Sequence, residues 1–296
     1  MIDEPTKSRL RLWLKSERAM GLSLVGPMQW SEIPAVATSA PAIQPPREPA
    51  VRPPAMRPPV VRQPIAPAHV EVTPAHAEKS GITEFTTPVL SISERQIHLA
   101  SIDENEVSAC NKCALCDTRS HTVFGEGAAD ARLMFIGEGP GSKEDQTGRP
   151  FVGPAGELLN RMIGAMGLQR EQVYIANVVK CRAFMPGPMP KDRAPTLEEV
   201  AACAPYLQRQ VEIIRPQVIV TLGLPASQFV LQTKLSMSKM RGTWSAWRGI
   251  KVMPTWHPSY LLRREKEGDV EPKRQAWGDL QQVMAELGLS APRKGK

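Results

Sequence analysis

The 296-residue chain exceeds one typical domain of roughly 100–200 residues, so a good-sized domain with additional segments is expected. Its net charge of +7 and pI near 9.3 lean toward a polyanionic partner such as nucleic acid, because fixed positive charge concentrates phosphates. No apolar run approaches the ~20 residues needed to cross a bilayer and no charged-then-apolar leader opens the chain, so no membrane span is expected and the protein is expected in the cytoplasm.

In that reducing compartment the five cysteines, three of them bunched as Cys110, Cys113 and Cys116, point to metal or redox work rather than disulfides. Residues 1–30 form a short helical segment: Leu10, Leu12, Trp13, Leu14, Met20 and Leu22 alternate with Lys and Arg in an imperfectly amphipathic pattern between Thr6 and Leu22. Residues 31–78 are a Pro-rich tether, with twelve of the chain's 29 prolines between Pro34 and Pro74. Proline fixes φ and removes a backbone donor, so this stretch is extended and polyproline-like. It is a spacer, a ligand for a Pro-binding protein partner, or a source of phosphate contacts through Arg47, Arg52, Arg57 and Arg62.

A connecting segment, 79–104, leads into the principal domain, 105–290, and a basic tail closes the chain at 291–296. Arg132 to Gly137 reads as a buried strand, followed by a Gly/Pro-rich loop and a helix from Pro154 to Met166. Then come a strand at Val173 to Asn177, a helix from Thr196 to Ile214, a strand at Val218 to Leu222, a helix from Pro225 to Leu231, a strand near Val252 to Trp256 and a helix from Pro272 to Leu287. This alternation predicts a three-layer α/β/α fold around a mostly parallel four-stranded sheet, with the ligand site beyond the carboxyl ends of the strands.

The chemically informative residues fall at those ends. Glu138 and Gly139 follow the first strand in GEGPG, Asn177 closes the second, Gly223 follows the third and His257 follows the fourth, so a carboxylate, a carboxamide and an imidazole converge on one cleft. Singly each is ambiguous: Asn at a strand end is commonly a turn former, His a structural residue, Phe151 core and Glu138 a loop carboxylate. GEGPG lacks both the dinucleotide spacing and the Lys-Ser/Thr of a phosphate loop.

Together, G-E-G-P-G-x-x-E-D from Gly137, Gly148-Arg-Pro-Phe-Val-Gly-Pro-Ala-Gly156, Asn177-Val-Val-Lys-Cys-Arg182 and His257-Pro-Ser-Tyr-Leu-Leu-Arg263 resemble the family 4 uracil-DNA glycosylases, the iron–sulfur branch of the uracil-DNA glycosylase superfamily. The resemblance runs from about Cys110 to Leu287. It implies a base-excision repair enzyme that acts on uracil-containing DNA and leaves an abasic site, expected as a monomer. It also implies Cys110, Cys113, Cys181 and Cys203 as ligands of a [4Fe–4S] cluster. Spacing alone leaves open both an exchange of Cys116 into that set and a four-cysteine zinc site.

The resemblance assigns catalysis to Glu138 and His257, and base recognition to Gly139, Glu144 (against the thymine methyl), Phe151 (stacking) and Asn177 (edge reading). Asn suits that task, because its carboxamide presents an acceptor and a donor to uracil N3–H and O4, a pattern cytosine inverts. Ser259, Tyr260, Leu261, Leu262 and Arg263 would meet DNA, the apolar three as a wedge in the vacated stack, or else in part as core. Lys180 and Arg182 would serve the DNA backbone or balance cluster charge. Rival readings are a superfamily member for other deaminated bases, one that traps DNA through a histidine, and a non-catalytic iron–sulfur DNA-binding module. The stretch from Ala183 to Pro195 contains no His, which argues against trapping.

Overall fold

The computed structural model describes residues 85, 88–185 and 187–290, all in the C-terminal of two units into which the chain divides, 74–296. The predicted N-terminal helix, the Pro-rich tether and the basic tail lie outside the described residues. Sixteen elements matter for the site. They are α1 (Ile92–Ile102), β1 (Glu126–Gly127), β2 (Leu133–Gly137), α2 (Ser142–Thr147), α3 (Pro154–Ala165), β3 (Tyr174–Asn177), β4 (Phe184–Met185), β5 (Lys191–Asp192), α4 (Leu197–Ile214), β6 (Val218–Leu222), α5 (Leu224–Leu231), α6 (Met237–Met240), β7 (Ser245–Trp247), β8 (Ile250–Thr255), α7 (Pro258–Lys266) and α8 (Glu271–Glu286).

The main sheet has the order β1-β3-β2-β6-β8-β7. Its four inner strands are parallel and are the four predicted; β1 and β7 add short antiparallel edges, so the sheet has six strands rather than four. Those edges are two and three residues long, too short to carry an alternating pattern.

Every residue of β2 and β6 is buried, and the period of two divides them between two cores. Met134, Ile136 and Ile219 pack with Leu207 and Val211 of α4 and Val230 of α5, whereas Leu133, Phe135 and Val220 pack with Leu159 and Ile163 of α3 and Val283 of α8. Helices cover both faces, so the strands read as continuous apolar runs. The chain passes from β2 to β3 on one side and then to β6 on the other, which opens a crevice at the carboxyl ends of these strands.

Two helix starts are chemically explicit. In α4 the Thr196 hydroxyl accepts from Glu199 N–H at 3.2 Å while the Glu199 carboxylate accepts from Thr196 N–H at 2.8 Å. Ser91 and Glu94 make the same reciprocal box at α1, a helix inside the predicted connecting segment.

Asp279 of α8 is fully buried and accepts from Thr255 Oγ1 at 2.7 Å and from the Arg241 guanidinium, tying α8 to the end of β8 just before His257. Removing one member of a buried pair leaves the other charge uncompensated, so Asp279→Ala is expected to lower stability by about 3–5 kcal/mol, measured by urea unfolding. A midpoint unchanged from the parent would contradict that account.

Candidate active site

A cavity of about 430 Å³ opens at the carboxyl ends of the parallel strands, within the ~300–1,000 Å³ range of small-molecule sites. Glu138, Gly139, Glu144, Phe151, Asn177 and His257, six residues from four separate stretches of sequence, all line it.

Asn177 is the last residue of β3, paired in register with Gly137, and is 2 % exposed. Its Oδ1 is buried without a hydrogen-bond partner, the single such side-chain atom among the described residues. Burying an acceptor unpaired costs about 1–3 kcal/mol, so this oxygen is poised for a donor brought by a ligand. Space around it is kept by Gly137, where a Cβ would fall 2.4 Å from Oδ1 and 2.6 Å from Phe151 Cζ.

Phe151 is buried and has φ of 50°, a left-handed backbone that a non-glycine residue adopts only when its surroundings enforce it. Here the surroundings are visible. Glu144 Oε1 accepts from Val152 N–H and Gly153 N–H at 2.8 Å each, and the Arg170 guanidinium donates to the carbonyls of Pro150 and Phe151. Gly156 in α3 lets the loop close, since a Cβ there would lie 1.8 Å from Phe151 O. The Phe151 ring meets the His257 ring with centroids 5.7 Å apart.

His257 caps α7: its Nδ1 accepts from Ser259 N–H at 3.1 Å and lies 2.7 Å from Ser259 Oγ. An N–H can only donate, so Nδ1 is an acceptor and the neutral ring carries its proton on Nε2. Burial pulls the imidazole pKa down to about 4, against the opposing pull of the Glu144 carboxylate. The ring is therefore a neutral donor at pH 7. Burial also raises the Glu138 carboxyl above its ordinary value.

The motif after His257 forms helix α7, and its residues diverge. Ser259 and Arg263 are exposed, and Tyr260 and Leu262 are half-buried. Tyr260 stacks on Trp256 with ring centroids 4.7 Å apart, and the Arg263 guanidinium lies 5.4 Å from the centre of the Tyr260 ring. Leu261 is 2 % exposed and packs with Leu158 and Ala276, so the wedge assignment is corrected there: helical spacing turns this one of the three apolar residues into the core. Arg264 is engaged by Glu267 and Asp269.

Lys180 and Arg182 also turn inward. Lys180 is 1 % exposed, too deep to touch a DNA backbone, and Arg182 pairs with Asp192 at 2.7 Å over the Phe184 ring. Asp192, Arg193 and Pro195 line the cavity from the β4–β5 hairpin and the loop after it, and Trp256 lines it from the end of β8. Sequence reasoning missed these four. The indole signalled itself by adjoining His257, whereas nothing local marks the hairpin.

A second, smaller cavity is lined by Cys110, Cys113, Cys181 and Cys203 but not by Cys116. The four come from the loop after α1, the loop after β3 and helix α4. Cys203 Sγ accepts from Lys180 N–H at 3.2 Å and Cys181 Sγ from Arg119 Nη1 at 3.5 Å. Burial pushes the Cys181 thiol up to about 11, with the Arg119 contact opposing. Among the described residues, no three His, Cys, Asp or Glu side chains are grouped to hold a single metal ion.

The family model for the "Uracil DNA glycosylase superfamily" matches residues 124–281, more than half of the chain. A type-4 uracil-DNA glycosylase of Thermotoga maritima is 52% identical over 167 residues, 56% of this chain and 84% of the relative. This chain belongs to the type-4 uracil-DNA glycosylases. A second relative of that type, from Archaeoglobus fulgidus, is 42% identical over 178 residues and covered over 85% of its length. A type-5 uracil-DNA glycosylase of Pyrobaculum aerophilum is more distant, 31% identical over 152 residues and covered to 64%.

The neutral His257 makes a signed prediction for this type-4 glycosylase. An unfolded imidazole binds its proton near 6.5 and the folded one only near 4, so the unfolded state takes up more protons in that window. The stability that His257 contributes is present above 6.5 and lost as pH falls toward 4. Urea midpoints measured across this range should fall more steeply for the parent than for His257→Ala, and an NMR titration should show the Nε2–H tautomer at pH 7.

Proposed function

We propose that this chain extrudes uracil from DNA and hydrolyses its N-glycosidic bond, leaving an abasic site. The observation that carries the reading is the buried, unpartnered Oδ1 of Asn177 in a slot walled by Phe151 and His257. That oxygen accepts from uracil N3–H and the carboxamide N–H donates to O4. Cytosine would leave buried groups unpaired, at about 1–3 kcal/mol. Stacking on Phe151, worth about 1–3 kcal/mol, offsets much of the cost of extrusion. Glu144, held rigid by two backbone N–H groups, walls off the thymine methyl.

As the glycosidic bond breaks, negative charge gathers on uracil O2 and positive charge on the sugar. His257 Nε2–H donates to O2; being neutral, it does so without giving up its own proton. Glu138 faces the cationic sugar and positions water. Ser259, Tyr260, Leu262 and Arg263 on α7 meet the DNA, with Tyr260 braced by Trp256. Removing one preorganised donor costs about 10²–10³ in rate. His257→Ala and Asn177→Ala should each lose at least ~100-fold in cleavage of a labelled uracil oligonucleotide followed by alkali, while thymine and cytosine oligonucleotides stay intact. Uncut uracil DNA with folded enzyme would support a binding module instead, and cutting at hypoxanthine in preference to uracil would reassign the substrate.

Cys110, Cys113, Cys181 and Cys203 would hold a [4Fe–4S] cluster. The fit rests on four thiols around one cavity, two already accepting N–H···S bonds. When bound, the cluster supplies a cross-link between the loop after α1, the loop after β3 and α4. Anaerobically purified protein should carry iron and sulfide with visible absorption, lost in Cys203→Ser and retained in Cys116→Ser. A colourless zinc protein would overturn the assignment.

A further inference from the structure

The most deeply buried cation near the site is Lys180, which is not among the residues lining the active-site cavity and has Asp103 as its carboxylate neighbour. Its ammonium donates to the backbone carbonyl of Asn177 at 2.9 Å and to Gln210 Oε1 at 2.6 Å. Gln210, fully buried in α4, donates in turn to Phe124 O at 2.9 Å and to Tyr174 OH at 3.1 Å. Two bonds past Asn177 continue the ladder beyond β2, from Val178 N–H to Gly137 O and from Val179 N–H to Glu138 O. The Asn177 carbonyl itself is held by the lysine.

The stretch from Asn177 to Cys181 runs directly to the cysteine cavity. Lys180 N–H donates to Cys203 Sγ, Lys180 O accepts from Val123 N–H at 2.7 Å, and Cys181 lines the cavity. Cys203 and Gln210 are seven residues apart on α4, two turns along one face, so one helix anchors both ends of the link.

We propose that Lys180, braced by Gln210, is the positioning residue for Asn177, setting the carboxamide in the base slot from the cysteine side of the fold. This rests on the reading of Asn177 as the residue that contacts the uracil edge. Lys180 makes no contact with the base; it fixes the backbone from which the reader projects. A misplacement of 1 Å in a site of this kind costs up to ~100-fold in rate.

The test is a double-mutant cycle on the full chain as purified with its metal content, read by single-turnover excision from a uracil oligonucleotide. Lys180→Met keeps the unbranched side chain up to the ε position, removes the ammonium, and leaves the backbone N–H to Cys203 in place. It should lower the rate about 10- to 100-fold in the parent and by less than about threefold in an Asn177→Ala background. Iron content and visible absorption should stay at parental levels, and the Asn177 side-chain amide resonance should move while the His257 ring resonances do not. Gln210→Met, which removes the brace and leaves Lys180 in place, should act in the same direction with a smaller loss, and it carries the cycle if Lys180→Met does not fold. Parental excision by both variants, or equal losses in both backgrounds, would overturn the proposal. Parental excision by Asn177→Ala alone would remove the base-reading role and this inference with it.

Discussion

The site depends on one constraint: Asn177 must belong to the sheet by its backbone and to the slot by its side chain. The parallel ladder between β2 and β3 ends with Gly137 beside Asn177, and the absence of a side chain at Gly137 leaves room for the carboxamide and the Phe151 ring. A methyl group there would collide with both. The geometry of the slot is thus set by the register of a sheet, and the loops are built around it.

Those loops are stiffened by polar groups that never face solvent freely. Glu144 holds the segment that carries Phe151 in a left-handed backbone, and Arg170 holds the carbonyls on the other side of it. His257 gains its tautomer from the first turn of the helix it caps, so secondary structure and donor chemistry are the same hydrogen bond. Burial then keeps that ring neutral and raises Glu138, two effects of one desolvated crevice.

Legibility in the sequence followed the physics of each element. LMFIG and VIVTL were readable as strands because both sheet faces are covered, which leaves the runs apolar except for Thr221. Helix α1 carries a capping box at Ser91 and Glu94 but a weakly apolar exterior, and its pattern gave no stripe to find. The β4–β5 hairpin that brings Asp192 to the cavity has strands of two residues each, below any periodic signal. The convergence of Glu138, Asn177 and His257 was readable because parallel strands place all their carboxyl ends on one side.

By itself, the sequence determined which residue types were present at strand ends, the alternation that makes the sheet parallel, and a pool of five cysteines. Only the tertiary structure decided that Leu261 and Lys180 point inward, that Arg182 pairs with Asp192, and that four cysteines share a cavity from which Cys116 is left out. The difference is physical. Backbone periodicity is local and leaves its mark on neighbouring residues, whereas the direction in which a long or polar side chain lies is set by packing partners far away in the chain.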